Sequence, residues 1–250
     1  MSEIPSILVT NGWKTDRNRK LTEVVIPSTV KTLNAPTKVT FMGTTLSAIP
    51  STATALQEFE APNVTALSQY LFKGYTTLTS VSFNNLISIT TGSTTSSGTF
   101  RGCTNLQSVD MPLLRSVSYA GNGESGIFSL CTSLQTVNFP SLNSINVTSG
   151  WNGMFYGCTA LKTVNFTSLQ SIVESVPSSS STDGVFGNCT ALESVTLGSA
   201  GHPVTALTGN YIFKNCTQSG LTITIYTSGG ASLSGSPWGA TNATIVYKSA

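Results

Sequence analysis

Apolar residues return along this chain in a fixed order. From Phe100, the run FRGCTNLQSVDMPLLRSV places apolar side chains at Phe100, Cys103, Leu106, Val109, Met111, Leu114 and Val117, with polar or turn-forming residues between them. The order recurs in FSLCTSLQTVNFPSLNSI from Phe128, FYGCTALKTVNFTSLQSI from Phe155 and FGNCTALESVTL from Phe186. Looser copies are FKGYTTLTSVSFNNLISI from Phe72 and FKNCTQSGLTITIY from Phe213. Successive copies start about 27 to 31 residues apart, and the shared pattern reads F-x-x-C-x-x-L-x-x-V-x-F-P-x-L-x-x-I. The L-x-x-V-x-F part alternates around Val81, Val109, Val137, Val164 and Val195, which predicts a short half-buried strand in every copy. Stacked copies then pair these strands into a parallel sheet. Pro27, Pro62, Pro112 and Pro140 fall just past the strand and end it there, because proline has no N–H to donate.

Two further positions are set by the same register. The L-x-x-I step (Leu114/Val117, Leu142/Ile145, Leu169/Ile172) turns two more side chains inward, and the Phe column fills the far side of the core. Gly74, Gly102, Gly157, Asn188 and Asn215 precede the Cys position or its equivalent. These residue types tolerate a left-handed backbone and predict a turn with positive φ. Leu130 breaks that series and predicts a different turn in its own rung. The Thr after each Cys (Thr104, Thr132, Thr159, Thr190, Thr217) is expected to satisfy a turn amide with its hydroxyl.

Weaker echoes at 21–33, 38–50 and 56–67 extend the series to about eight or nine rungs. One rung cannot bury its apolar face alone, whereas a stack can, and a period in this range is that of a leucine-rich-repeat solenoid. The expected fold is therefore mostly β, with a parallel sheet on one face, irregular turns and loops opposite, and capped ends. Residues 1–20 form an N-terminal cap, 21–225 the solenoid, and 226–250 a capping rung with Trp238, Ile245 and Tyr247 as lids.

The F-x-x-C-x-x-L-x-x-V motif resembles the BspA-like leucine-rich repeats, over most of residues 21–247 and most strongly over 72–225. That group occurs on bacterial and protozoan surfaces and in phage-borne proteins. The resemblance implies a solenoid that binds proteins or host surfaces without catalysis. Two features depart from the family pattern. Its repeats are often near 23 residues, whereas these carry extra loops, and a surface adhesin would bring a secretory signal, which the opening MSEIPSILVTNGWKTDRNRK does not show.

Composition narrows the chemistry. Only 9% of the 250 residues are charged and the formal net charge is +2, which excludes a coiled coil and gives no electrostatic case for nucleic acid. No apolar run approaches a membrane span. Five cysteines occupy one repeat position with no C-x-x-C pair, so they read as a buried packing column rather than as disulfides or metal ligands. His202 stands alone in GSAGHPVTAL with no acid close in sequence, a poor start for a triad or a metal site. Gly121, Gly123 and Gly126 spell G-x-G-x-x-G, but no helix-length pattern follows them, so a dinucleotide site is not expected. Asp110 and Glu193 are too many rungs apart for a glycosidase pair. No catalytic residue, metal or cofactor is assigned.

Two surfaces are candidates for binding. Extra residues always enter after the L-x-x-I step and before the Phe, at 90–99, 118–127, 146–154 and 173–185. Insertions at one phase of a solenoid project from one edge. Tyr119, Glu124, Trp151, Tyr156 and Asp183 lie in or beside them, either as exposed groups suited to sugar stacking or a protein hot spot, or packed down on the loops. The second surface is the outer face of the sheet, with Ser82, Asp110, Asn138, Asn165 and Thr196. The function expected is a non-enzymatic recognition or adhesion module for a protein or glycan on a host or partner surface. It would sit at a cell surface or be secreted once a signal is removed. The alternative is a structural or receptor-binding component of a phage virion.

Overall fold

The computed structural model describes the strands Trp13–Thr15, Leu21–Val24, Lys38–Thr40 and Thr45–Leu46, and residues 56–67, 71–91, 98–119, 126–147, 153–174 and 184–250. The repeat closes into rungs that stack in register. The first ladder is made by the L-x-x-V-x-F strands. Lys38–Thr40, Glu58–Glu60, Ser80–Ser82, Ser108–Asp110 and Thr136–Asn138 form one five-stranded parallel sheet. Thr163–Phe166, Ser194–Leu197, Thr222–Thr227 and Thr244–Ser249 form a four-stranded parallel sheet beyond it. The central residue points inward at Phe59, Val81, Val109 and Val164. Where Pro112 and Pro140 follow, the strands stop at Asp110 and Asn138; with Thr167 in that place the strand runs on to Phe166.

The L-x-x-I step is more than an inward turn. Ser88–Thr91, Ser116–Tyr119, Ser144–Val147, Ser171–Glu174 and Ala206–Thr208 pair into a second parallel ladder. Each of these rungs thus carries a second regular strand, in addition to the single sheet expected from the pattern.

Between the ladders sits the return turn, itself stacked through the backbone. Phe72 N–H donates to Thr99 C=O at 2.8 Å, Phe100 to Ile127 at 2.9 Å, Phe128 to Met154 at 2.8 Å, Phe155 to Val185 at 2.8 Å and Phe186 to Ile212 at 2.7 Å. Two positions later the chain takes a positive φ at Gly74, Gly102, Gly157, Asn188 and Asn215, and also at Leu130, with φ 60°. The expectation of a different turn at Leu130 is corrected. Its N–H makes the same inter-rung bond as the glycines, to Tyr156 C=O at 2.7 Å, and that bond holds a leucine in a conformation costly for it.

The core follows from the columns. Phe72, Phe100, Phe128, Phe155, Phe186 and Phe213 stack ring on ring, with centroids 5.0 to 5.5 Å apart and planes within 10°. All five cysteines are buried and unpaired by disulfides. Each thiol donates to the carbonyl of the Phe one rung back, Cys103 to Phe72 at 2.9 Å and Cys131 to Phe100 at 3.2 Å, for example. Of the threonines after Cys, Thr132 and Thr159 donate to carbonyls of the previous rung, at Thr104 and Thr132, where a bond from a turn amide was expected.

The amino end differs from the pattern. Lys38–Thr40 and Thr45–Leu46 do join the stack, pairing with Glu58–Glu60 and Ala66–Leu67. The echo at 21–33 does not enter a parallel ladder among the described residues, since Leu21–Val24 pairs antiparallel with Trp13–Thr15. At the carboxyl end Thr244–Ser249 closes the first ladder, with Ile245 and Tyr247 half-buried over the core. Trp238 is buried and donates its indole N–H to Leu207 C=O at 3.2 Å, which caps the last strand of the second ladder.

Candidate functional site

The insertions leave and return along one line. They depart from the ends of the second ladder, at Thr91, Tyr119, Val147 and Glu174, which are in register across adjacent strands. They return at Gly98, Gly126, Gly153 and Gly184, each two residues before the stacked Phe. At the last three of these a side chain is excluded by the next rung: a Cβ would stand 2.1 Å from Gly153 O at Gly126, 1.9 Å from Gly184 O at Gly153, and 1.8 Å from Tyr211 O at Gly184. Gly126 therefore belongs to a packing column, not to a nucleotide fingerprint. The residue just before the Phe is also buried, as Leu71, Thr99, Ile127, Met154, Val185 and Ile212. These two columns were hidden within stretches that read as insertions.

The named loop residues separate. Tyr119 is wholly buried at the end of its strand, which for this residue is the packed-down reading of the two left open. It continues the alternation of Ser116–Tyr119, in which Val117 and Tyr119 both face the core. Tyr156 is half-buried in the return turn, one residue past Phe155. Glu124, Trp151 and Asp183 lie outside the described residues.

The sheet-face residues also divide. Ser82, Asp110 and Asn138 are in register on the five-stranded sheet, and Asn138 Nδ2 donates to Asp110 Oδ1 at 2.7 Å. Asn165 and Thr196 are paired neighbours on the four-stranded sheet. Thr136–Asn138 and Thr163–Phe166 belong to different sheets, so the five side chains do not form one unbroken row.

Electrostatics point away from thiolate chemistry. Burial pushes every thiol up, Cys103 and Cys216 to about 12, against the opposing effect of a backbone hydrogen bond. Such thiols stay protonated and shielded. His202 is exposed in a tight turn with Ser199, whose Oγ is 3.4 Å from Nδ1. Glu193 forms an exposed ion pair with Lys162 at 3.9 Å. No group of three or more His, Cys, Asp or Glu among the described residues could hold a metal ion. One carboxyl group was missed in the sequence. Glu174 is half-buried, its Oε1 accepts Val185 N–H at 2.6 Å, and burial pushes it up to about 7.

Comparison with known families agrees with this architecture. A family model described as a BspA type leucine rich repeat region, with six copies, matches residues 51–182. A leucine-rich repeat protein of T. pallidum is 19% identical, covering 89% of this chain and 86% of its own, with a TM-score of 0.44. A leucine-rich repeat protein from Bacteroides ovatus is 17% identical, covering 85% and 68%, with a TM-score of 0.36. No curated protein matches the chain.

Proposed function

Because the chain belongs to the BspA-type leucine-rich repeat family, a family of interaction modules, we propose that it is a non-enzymatic recognition and adhesion module. Its partner is a protein or glycan on a host or partner surface, and its own place is a cell surface or the secreted fraction. One observation supports this reading above the others. Phe, Cys, Leu and Val columns repeat with little change, while the length variation enters between in-register strand ends and stacked glycines. A scaffold that is uniform everywhere except along one edge places its variation where a partner can meet it. Among the described residues no helix is long and apolar enough to cross a membrane.

The test is a screen of the whole chain against glycan and host-protein arrays, repeated with Trp151→Ala. A hit that weakens at least tenfold in the variant supports recognition through the insertions. Equal binding by both removes Trp151 from the site, and recovery of the chain in phage particles overturns the cell-surface placement.

A further inference from the structure

The carboxyl end of the first ladder is an open edge. Thr244–Ser249 is the last strand of the four-stranded sheet and pairs on one side only, with Thr222–Thr227. Thr244 N–H donates to Leu221 C=O at 2.8 Å and Ala250 N–H to Thr227 C=O at 2.9 Å. Even-numbered residues therefore turn their backbone groups toward the neighbouring strand, and Ile245, Tyr247 and Ser249 turn theirs away. Gly230 lies beside the last of these: a Cβ there would stand 3.5 Å from Ser249 N. The N–H and C=O of Ile245 and Tyr247 have no hydrogen-bond partner among the described residues.

The sequence leaves this edge unguarded. Natural edges are blunted by charge, proline, a bulge or a covering segment. From Ser228 to Tyr247 there is no Asp, Glu, Lys or Arg, the strand contains no proline, and its register with Thr222–Thr227 is unbroken. Lys248 is the one charge in the strand. Its Nζ sits 5.7 Å from the centroid of the Tyr226 ring on the neighbouring strand, back along the sheet and not across the edge. The core is also unfinished here. Among the described residues, four of the five partly buried apolar side chains packed against it (Leu233, Ala243, Ile245 and Tyr247) lie at this end.

We propose that this edge pairs with the same strand of a second copy of the chain, antiparallel and about a twofold axis at Val246. An axis perpendicular to the sheet brings two identical edges together with their strands antiparallel and both inner faces on one side. Centring on Val246 uses the open residues and no others. Ile245 exchanges both backbone bonds with Tyr247 of the second copy, and Tyr247 does so with its Ile245. On the outer face Val246 stands opposite Val246 and Lys248 opposite Thr244, so no like charges meet. On the inner face each copy brings its half-buried Ile245 and Tyr247 to the other. That match favours a second copy over an unrelated strand, which would satisfy the backbone edge and leave the open end of the core uncovered.

Self-association of the full chain tests this without any other partner. Sedimentation equilibrium from about 1 μM to about 1 mM spans weak pairing, and the wild type is expected to pass from monomer to dimer. Val246→Lys and Val246→Glu each set like charges face to face and should weaken the dimer by about tenfold or more. An equimolar mixture of the two should restore it as a mixed pair. In the wild type, amide exchange at Ile245 and Tyr247 should slow as concentration rises. A wild type that stays monomeric, or exchange at these amides that ignores concentration, overturns the proposal whether or not the variants fold. So does a dimer that the folded variants leave intact or that their mixture fails to restore. None of these results touches the recognition reading, which stands or falls on partner binding.

Discussion

At the scale of the residue, a side chain here is defined by what lies one rung above and below it. Cys131 shows this. Its thiol is buried, donates to Phe100 C=O at 3.2 Å, and occupies a column of identical thiols. Serine would bring a more polar donor, and its shorter bond to Cβ would draw that donor back from the carbonyl. Cys131→Ser is expected to cost about 1 to 3 kcal/mol, measured as a shift in denaturant midpoint at unchanged slope; an unaltered midpoint would contradict the assignment. Thr99 is the converse case. It stands in a column otherwise filled by Leu71, Ile127, Met154, Val185 and Ile212, fully buried, with a hydroxyl that has no hydrogen-bond partner. Thr99→Val keeps the shape and removes the unmet hydroxyl, so stability should rise by about 1 kcal/mol. The melting temperature should rise by about 2 to 4 °C, and a fall would show that the hydroxyl is engaged.

At the scale of the element, the return turn is the most tightly specified part of the rung. The motif G-x-F recurs at 98–100, 126–128, 153–155 and 184–186 because three side-by-side demands meet there. The glycine admits the next rung's backbone, the middle residue fills the core, and the Phe stacks. Gly153→Ala would place a methyl 1.9 Å from Gly184 O and 2.2 Å from its carbonyl carbon. Both are backbone atoms, so neither rung can yield by rotating a side chain. A loss of about 3 kcal/mol or more is expected in chemical denaturation, and a loss under 1 kcal/mol would mean the stack is looser than described.

The same element shows what the sequence discloses and what it conceals. The Phe and Cys columns are legible because their spacing survives in almost every copy. The glycine and Thr99 columns are not, because they lie where the copies differ in length and so read as insertion. Tyr119 stays between two readings for the same reason: four residues of alternation in SVSY are too few to announce a strand beside a loop. The division of the first ladder is concealed differently. TVNFPSLNSI and TVNFTSLQSI on its two sides are nearly the same, and nothing in either predicts that Asn138 and Asn165 fall on separate sheets. Glu174 gave no signal, since a carboxyl group at the edge of a loop is ordinarily solvated.

At the scale of the whole molecule, the low charge and the many hydroxyl residues have one cause. Each rung turns corners at which carbonyls leave the ladders, and hydroxyls of the following rung collect them. Ser141 donates to Pro112 C=O and Ser168 to Pro140 C=O, each at 2.7 Å; Thr77 donates to Leu56 C=O at 2.8 Å. Stacked like charges would repel at such sites. A stack also has ends, and the carboxyl end depends on Trp238, buried and bonded to Leu207. Trp238→Ala should cost about 3 to 5 kcal/mol. Exchange should rise first in Ala206–Thr208 and Thr244–Ser249; uniform exchange along the chain would contradict the capping role.

The central claim is that a uniform stack carries its specificity on the insertion edge and not on the ladder face. The direct measurement is the affinity for a partner taken from the array screen, using the wild type and two variants of matched melting temperature. In one variant, residues 92–97, 120–125, 148–152 and 175–183 are replaced by Gly/Ser segments of the same length. In the other, Asp110 and Asn138 on the first ladder are changed to lysine. Loss of at least tenfold in affinity in the first variant, with the second binding as wild type, is the predicted result. Undiminished binding by the first variant, with loss in the second, would contradict the account.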